Sequence, residues 1–506
     1  MQDSRSQLAA AFATGDLAGA ERLAAALLAD TPADPDLLNV LGVVRLGQGR
    51  AAAARALFVA ALIVAPAAEH PALNLALTFH AQGVFTLARL WAWRARQSSP
   101  DLVDAYATEA SVERLLGRRR AASSLLRKAL ALAPAVPEFL ANTGNALLDD
   151  EDLAAARRQF ARALATGPGH GAARYQLAIL DLGDGKLEQG WPNYEARFLP
   201  PALVQRRPFP QPAWRGETLR DGTLLIWGEQ GIGDEIIFAA LLPDASRRAP
   251  RVAVECDPRL VSILHRSMPD LDVHPRQTPP VPALASPAIV RQAAIGSLPA
   301  LLWPSSVHGR TSTAYLRAEL QRLAVSRDWL RSLGGGPKIG IAWRSGRTDP
   351  TATRLSTPIE SWDPILSTQG AVFVNLQYGD CGAEIAMAER RTGVRLHRMP
   401  GLDLFNDLEG TLALSASLDL TISAATSAFS FPAAAGVETW MIRFESDFFV
   451  IDENQYAWFP RVRSFSRPSG AGWSVPIAAA ATALAGWLRE RQEFAGTTAA
   501  SPGHAQ

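Results

Sequence analysis

Residues 223–241 read TLLIWGEQGIGDEIIFAAL, and this stretch decides the fold of the larger part of the chain. Thr223-Leu224-Leu225-Ile226-Trp227 is a short, continuous apolar run of the kind that forms a strand buried on both faces. It stops at Gly228-Glu229-Gln230-Gly231-Ile232-Gly233-Asp234-Glu235, after which Ile236, Ile237, Ala240 and Leu241 follow helical spacing. Strand, glycine turn and helix in that order open a Rossmann-like unit. A second strand over Arg251–Cys256, a helix from Pro258 to Met268 and a third strand over Leu271–His274 continue it. Pro275–Arg310 reads as Pro-rich and irregular apart from a short apolar segment.

A second half begins after the break Gly334-Gly335-Gly336-Pro337. Lys338–Trp343 is a strand, ended by Arg344-Ser345-Gly346-Arg347. Ala371–Gln377 is another, followed by Tyr378-Gly379-Asp380. Leu418–Ile422 is a third, after which Ser423-Ala424-Ala425-Thr426-Ser427 opens a helix, and Val437–Ile442 is a fourth. The expected architecture is α/β, with two Rossmann-like halves (200–335 and 336–490) facing a cleft. Residues 491–506, polar and small, are expected to form a flexible tail.

Toward the N-terminus the pattern changes. Pro32, Pro66, Pro100, Pro134 and Pro168 stand 34 residues apart. Gly15, Gly49, Gly83 and Gly117 keep the same period, as do Ala20, Ala54, Ala88, Ala122 and Ala156, and Ala61, Ala95, Ala129 and Ala163. Small residues let paired helices approach, glycine accommodates the turn within a pair, and proline ends the second helix. Such a period marks an α-solenoid, assigned here to 1–199. Glu109 and Thr143 stand where the third and fourth repeats should carry leucine. Arg118-Arg119-Arg120, after a turn glycine, reads as a solvated helix start.

Composition excludes several classes. Of 506 residues, 48% are hydrophobic and 20% charged, which is globular, and the length suggests about three domains. Lys+Arg is 50 against 49 Asp+Glu, so nothing demands a nucleic-acid partner. Cys256 and Cys381 form no C-x-x-C pair, and the eight histidines show no ligand spacing, so no metal is expected. No apolar run is long enough to span a bilayer, and a cytoplasmic protein is expected.

The repeat Leu38-x-x-Leu41-Gly42 … Ala54 … Phe58-x-x-Ala61 … Pro66 resembles the tetratricopeptide repeat, which implies a surface for a peptide or protein partner. Leu224–Asp234 resembles the first turn of bacterial heptosyltransferase-like glycosyltransferases of the glycosyltransferase-B type. Gly340–Gly346, Asp419–Gly436 and Pro460–Phe465 resemble their second-half opening, donor segment and closing motif. Gly190-x-x-x-Tyr194-Glu195-x-Arg197 and the later Pro212-x-Trp214 resemble the connector of bacterial proteins that fuse these repeats to a glycosyltransferase. With Asn375-Leu376-Gln377-Tyr378-Gly379-Asp380, the chain looks most similar to alphaproteobacterial flagellin glycosyltransferases. That resemblance implies a metal-independent enzyme, inverting or retaining, that needs no cofactor. It would move a nonulosonic acid such as pseudaminic acid from a CMP- or UDP-linked donor to Ser/Thr of flagellin held by the repeats. One departure stands out. The family's Asp-Thr, with a histidine five residues after the Asp, is Ala425-Thr426 and Ser430 here. A non-enzymatic repeat scaffold carrying a degenerate module is therefore the alternative.

The resemblance makes Asp234 the base that takes the proton of the attacking hydroxyl, on the acceptor-side turn with Gly231 and Gly233; a plain helix-start Asp is the competing reading. Arg344, Ser345, Gly346, Gln377, Tyr378, Thr426 and Ser427 are the expected donor-side residues. Arg344 would neutralise the leaving phosphate, Tyr378 would stack on the base, and Thr426 and Ser427 would offer hydroxyls at a helix start. Arg347 and Arg354 stand in reserve. Asp270-Leu271-Asp272 has the form of a metal-binding pair but precedes a strand, away from the expected cleft.

Overall fold

The computed structural model describes residues 2–200, 202–303, 314–346, 356–445, 450–452, 455–456 and 458–499. Arg347 and Arg354 lie outside them. The chain divides into two compact units, 1–170 and 171–506.

The first unit is all helical. Helices α1 (Gln2–Ala13), α2 (Leu17–Asp30), α3 (Pro35–Gly47), α4 (Ala51–Val64), α5 (Glu69–Ala81), α6 (Phe85–Ser98), α7 (Val103–Leu115), α8 (Arg119–Leu132), α9 (Pro137–Asp149) and α10 (Leu153–Thr166) pair in sequence order. First helices of successive pairs also pack side by side, α3 with α5, α5 with α7 and α7 with α9. The result is a tetratricopeptide-like solenoid. The periodic alanines have no exposed surface at Ala54, Ala88, Ala122 and Ala156, where facing helices meet. The turn glycines at 15, 49, 83 and 117 all hold φ between +73° and +76°, and Glu151 takes the equivalent place at +63°. Asp16, Asp34 and Asp152 cap the helices that follow, each accepting from a backbone amide of the first turn. The two missing leucines have local compensations. Buried Glu109 accepts from Arg96 Nε at 2.7 Å, and Thr143 donates to the Phe139 carbonyl at 2.8 Å. Arg118, Arg119 and Arg120 are exposed.

The second unit starts earlier than the expected boundary at residue 199. Helices α11 (Gly171–Gly183) and α12 (Leu187–Tyr194) belong to it, and their apolar side chains Ala178, Leu182, Leu187 and Trp191 join its main core. Trp191 packs against Phe238 and Trp458, with ring centroids 6.3 and 5.7 Å away. The connector is thus cemented into the α/β core.

Two parallel sheets follow. The first contains β1 (Thr223–Trp227), β2 (Arg251–Cys256), β3 (Asp272–Pro275) and β4 (Ile289–Ala294) in the order β3-β2-β1-β4. The second contains β5 (Lys338–Ala342), β6 (Val372–Asn375), β7 (Leu396–His397), β8 (Leu420–Ala424), β9 (Thr439–Phe444) and β12 (Val462–Arg467) in the order β12-β9-β8-β5-β6-β7. A separate antiparallel ribbon joins β10 (Val450–Asp452) and β11 (Gln455–Tyr456). β1, β5, β8, β9 and all but the first residue of β2 are buried along their length, as continuous apolar runs in covered parallel sheets should be.

Three expectations are corrected. The stretch 275–310, read as irregular apart from a short apolar segment, contains the strand β4. That strand hides behind Arg291 and Gln292, whose polar ends are paired with Glu217 and the Trp227 indole N–H at 3.0 and 2.6 Å. The tail is not frayed from 491, because one helix runs from Ser474 to Ala499. The helix after β1 spans only Ile232–Ala239 and is called α13; Ala240 and Leu241 lie beyond its end.

Candidate functional site

In open parallel sheets ligands bind beyond the strand C-termini where the strand order reverses. Each sheet here has one such point, between β1 and β4 in the first and between β5 and β8 in the second.

The first reversal point is filled by the protein itself. The turn after β1 carries Glu229, which is buried. Arg197 from the connector grips it, with Nη2 to Oε1 at 2.7 Å and Nε to Oε2 at 3.0 Å. The Gly296 amide, just after β4, donates to Glu229 Oε1 at 3.1 Å. Arg197 also reaches Ser297 Oγ at 2.9 Å and Glu195 at 2.7 Å. Burial works to lower the Arg197 pKa, but the Glu229 charge and hydrogen bonds outweigh it and raise the value. The connector and the glycine turn, recognised separately in the sequence, are therefore one structure. Neither Glu229 nor Ser297 was singled out there. The available signal was a Tyr-Glu-x-Arg motif with an unexplained acid in the turn.

Further along this turn, Gln230 takes a left-handed backbone conformation, φ +60°, and its Nε2 donates to the Tyr194 hydroxyl at 2.7 Å. Asp234 sits at the third position of α13 and accepts from the Gly231 amide at 3.2 Å, closing a cap over the helix start. The cap is real, so the helix-start reading of Asp234 holds. It does not exhaust the residue, because the Asp234 charge acts on two tyrosine hydroxyls. Burial first, and Asp234 second, push Tyr175 up to about 12. Tyr194 is raised too, by burial and then by Tyr175.

The second reversal point is where the expected donor residues gather. Arg344, Ser345 and Gly346 follow β5; Thr426 and Ser427 follow β8 and open the helix Ser427–Ala434. Tyr378, after β6, bridges them. Its hydroxyl accepts from the Gly346 amide at 3.1 Å and lies 3.4 Å from Ser427 Oγ. Thr426 is the N-cap and accepts from the Ala428 amide at 3.4 Å.

Two expected donor contacts are replaced by structural ones. Gln377 is buried, and its amide is fully engaged. Oε1 accepts from the Trp343 and Arg344 amides at 3.0 and 2.9 Å, while Nε2 donates to the carbonyls of Arg344 and Tyr378 at 3.0 and 3.1 Å. It latches the ends of β5 and β6. Arg344 faces Glu384, with Nε and Nη2 within 2.9 Å of its carboxylate, and Nη2 also reaches the Asp380 carbonyl at 2.8 Å. Glu384 thus occupies the fork that would have gripped a phosphate. Ser430 is likewise committed: it is buried and donates to the Ser427 carbonyl at 2.7 Å. Asp272 begins β3 and pairs with His274 at 2.9 Å, apart from both reversal points.

A cavity of about 850 Å³ opens beside Tyr378, beyond the ends of β6 and β7. Gly379, Arg398, Met399, Phe405 and Asn406 line it with that tyrosine. The Tyr378 and Phe405 rings lie 6.0 Å apart, and Arg259 from the first half stacks over Phe405 at 5.4 Å.

The two sheets' turns meet. A Cβ built on Gly233 would lie 3.0 Å from Ser427 Cβ and 3.1 Å from its Cα. Only glycine allows this approach without displacement. It brings the start of α13, with Asp234, onto the start of the helix that carries Thr426 and Ser427.

No family model matches the chain. Protein FlbA of Caulobacter vibrioides is 29% identical over 520 residues, covering 93% of this chain and 87% of its own. Among solved structures, Pseudomonas aeruginosa pilF is 15% identical, covers 40% of this chain and 93% of its own, and superposes with a TM-score of 0.35. The MamA protein is 18% identical, covers 33% of this chain and 90% of its own, and gives 0.29. No helix among the described residues is long and apolar enough to cross a membrane.

Proposed function

We propose that this protein is a protein glycosyltransferase whose nucleotide sugar binds at the second sheet's reversal point and whose acceptor hydroxyl faces Asp234. The observation that supports the reading is the contact of Gly233 with Ser427, which brings the start of the Asp234-bearing helix against the second sheet's reversal point. The cavity beside Tyr378 and Phe405 is within the size range of small-molecule sites and supports a nucleobase there. The solenoid supports capture of a polypeptide acceptor. Flagellin is the acceptor suggested by the family resemblance, with a nonulosonic acid on CMP or UDP as the donor. The chemistry asked of the protein is proton removal and charge stabilisation at the leaving phosphate. Asp234 supplies the first. Amides at the helix start Ser427–Ala434 and hydroxyls at Ser427 and Tyr378 supply the second, since Arg344 is held by Glu384.

The test is the intact mass of flagellin co-expressed with the protein in cells that make the activated sugar. Wild type should add the sugar mass. Asp234→Asn, which can still cap the helix, should lower the rate by about 10²–10⁴. An unchanged mass shift in that variant would move the base elsewhere.

A second reading, a non-enzymatic scaffold, is favoured by the pairing of Arg344 with Glu384 and by Ala425 and Ser430 at the substituted positions. Calorimetric titration with CMP and UDP separates the two. Binding supports the transferase; no heat with either nucleotide, and no mass shift with wild type, supports the scaffold.

A further inference from the structure

Gln230 stands in a backbone conformation that glycine adopts freely and that glutamine avoids. Its side chain must therefore do something glycine would not. What it does is accept confinement by the connector. Nε2 donates to the hydroxyl of Tyr194, itself fully buried, at 2.7 Å. The preceding residue, Glu229, is held by Arg197, and the following one, Gly231, donates its amide to Asp234. Three consecutive turn residues are thus fixed, two by the connector and one by Asp234. Left-handed backbone at a non-glycine persists only when its surroundings over-determine it.

We propose that Tyr194 and Arg197 are positioning residues. They clamp the turn Gly228–Gly231 so that Asp234 is presented to the opposite half in one orientation. This rests on the transferase reading for its catalytic consequence, though the clamp itself does not. Arg197 anchors the turn to β4 through Glu229, Gly296 and Ser297. Tyr194 sets the Gln230 backbone, and with it the direction in which the chain enters α13. A glycosylation system assembled this way has its repeat-following connector built into the acceptor-side turn.

The experiment uses the full-length chain and two readouts. The first is amide hydrogen exchange over 228–235. The second is kcat and KM for the donor in sugar transfer to the acceptor protein. Tyr194→Phe keeps the buried ring and removes only the hydroxyl. Exchange in 228–235 should rise with the rest of the unit unchanged, and kcat should fall about tenfold, given the usual size of a left-handed backbone preference, with donor KM unmoved. Adding Gln230→Asn, a residue several-fold more at ease with positive φ, should recover part of both. If Tyr194→Phe does not fold, Gln230→Leu breaks the same hydrogen bond and reads the same quantities. Unchanged exchange, or exchange raised across the whole unit, overturns the clamp. Raised local exchange with unaltered kcat overturns the positioning role. Raised local exchange in a protein whose wild type transfers no sugar supports the clamp and removes the transferase reading instead.

Discussion

The two parallel sheets each reverse strand order once and differ in what occupies the point of reversal. In the first, the connector pushes Arg197 into the crevice, where Glu229 and Ser297 accept its hydrogen bonds and the Gly296 amide donates to Glu229. In the second, no connector intrudes among the described residues. The crevice is edged by Gly346, Tyr378, Thr426 and Ser427, with a cavity alongside. One fold element has been turned into an anchor, while its counterpart keeps a cavity at its side. This difference supports placing the proposed nucleotide in the second half.

The largest expected effect tests the anchor. Arg197→Ala would leave Glu229 buried opposite an uncompensated space. Breaking a buried pair from one side is worth about 3–5 kcal/mol. Removing both charges together, as in Arg197→Met with Glu229→Gln, should recover most of that loss, because an uncharged pair of similar volume is often neutral. Chemical denaturation followed through tryptophan fluorescence would read both, since Trp191, Trp214 and Trp227 lie in or beside this core. If Arg197→Ala unfolds no earlier than wild type, the first crevice is not an anchor and the contrast between the sheets collapses.

A smaller effect tests the meeting of the two turns. Gly233→Ala removes the entropic penalty of a helical glycine, a gain of about 0.5–1 kcal/mol. Against this, the new methyl would sit 3.0 Å from Ser427 Cβ and 3.1 Å from its Cα, so the facing turn must shift by a few tenths of an ångström. Overpacking of that kind costs about 1–3 kcal/mol, and the cost should win. Lower stability with reduced sugar transfer is the expected result. A variant that is more stable and fully active would show that the close approach has no role.

The same contrast shows what the sequence can reveal. The solenoid was legible because its 34-residue period repeats alanines that pack helix against helix and glycines that make the turns. The strands β1, β2, β5 and β6 were legible as apolar runs ending in glycine or polar turns. The strand β4 was not, because its middle carries Arg291 and Gln292, and their partners Glu217 and Trp227 are more than 60 residues distant in sequence. Of the candidate site, the residues brought together at the second crevice could be read from their places after strands. Their engagements could not. Arg344 looked like a phosphate ligand until Glu384, 40 residues on, was seen against it. Arg197 and Glu229 are 32 residues apart and share no pattern. Long-range pairing of polar groups leaves no periodicity, whereas burial of apolar ones does.

The last effect depends on pH and concerns a carboxylate that belongs to neither crevice but sits beside the first. Glu235, next to Asp234, is buried, accepts from the Asp257 amide at 2.8 Å and pairs with Arg276 at 2.6 Å. Burial raises its pKa to about 7, more than Arg276 and the amide lower it. In the unfolded chain the group titrates near 4.5. Between those values the folded protein keeps a proton that the unfolded chain has lost. The resulting stability is fully present below about pH 4.5 and is lost as pH rises through about 7. One proton bounds the slope at about 1.4 kcal/mol per pH unit. Glu235→Gln, neutral at every pH, should flatten this part of the profile while leaving the Arg197–Glu229 anchor intact. Denaturation midpoints of wild type and variant across pH 5–8 measure it directly. If the two curves run parallel, the Arg276 pair holds Glu235 ionised throughout, and the neighbourhood of the acceptor-side turn is more polar than its burial implies.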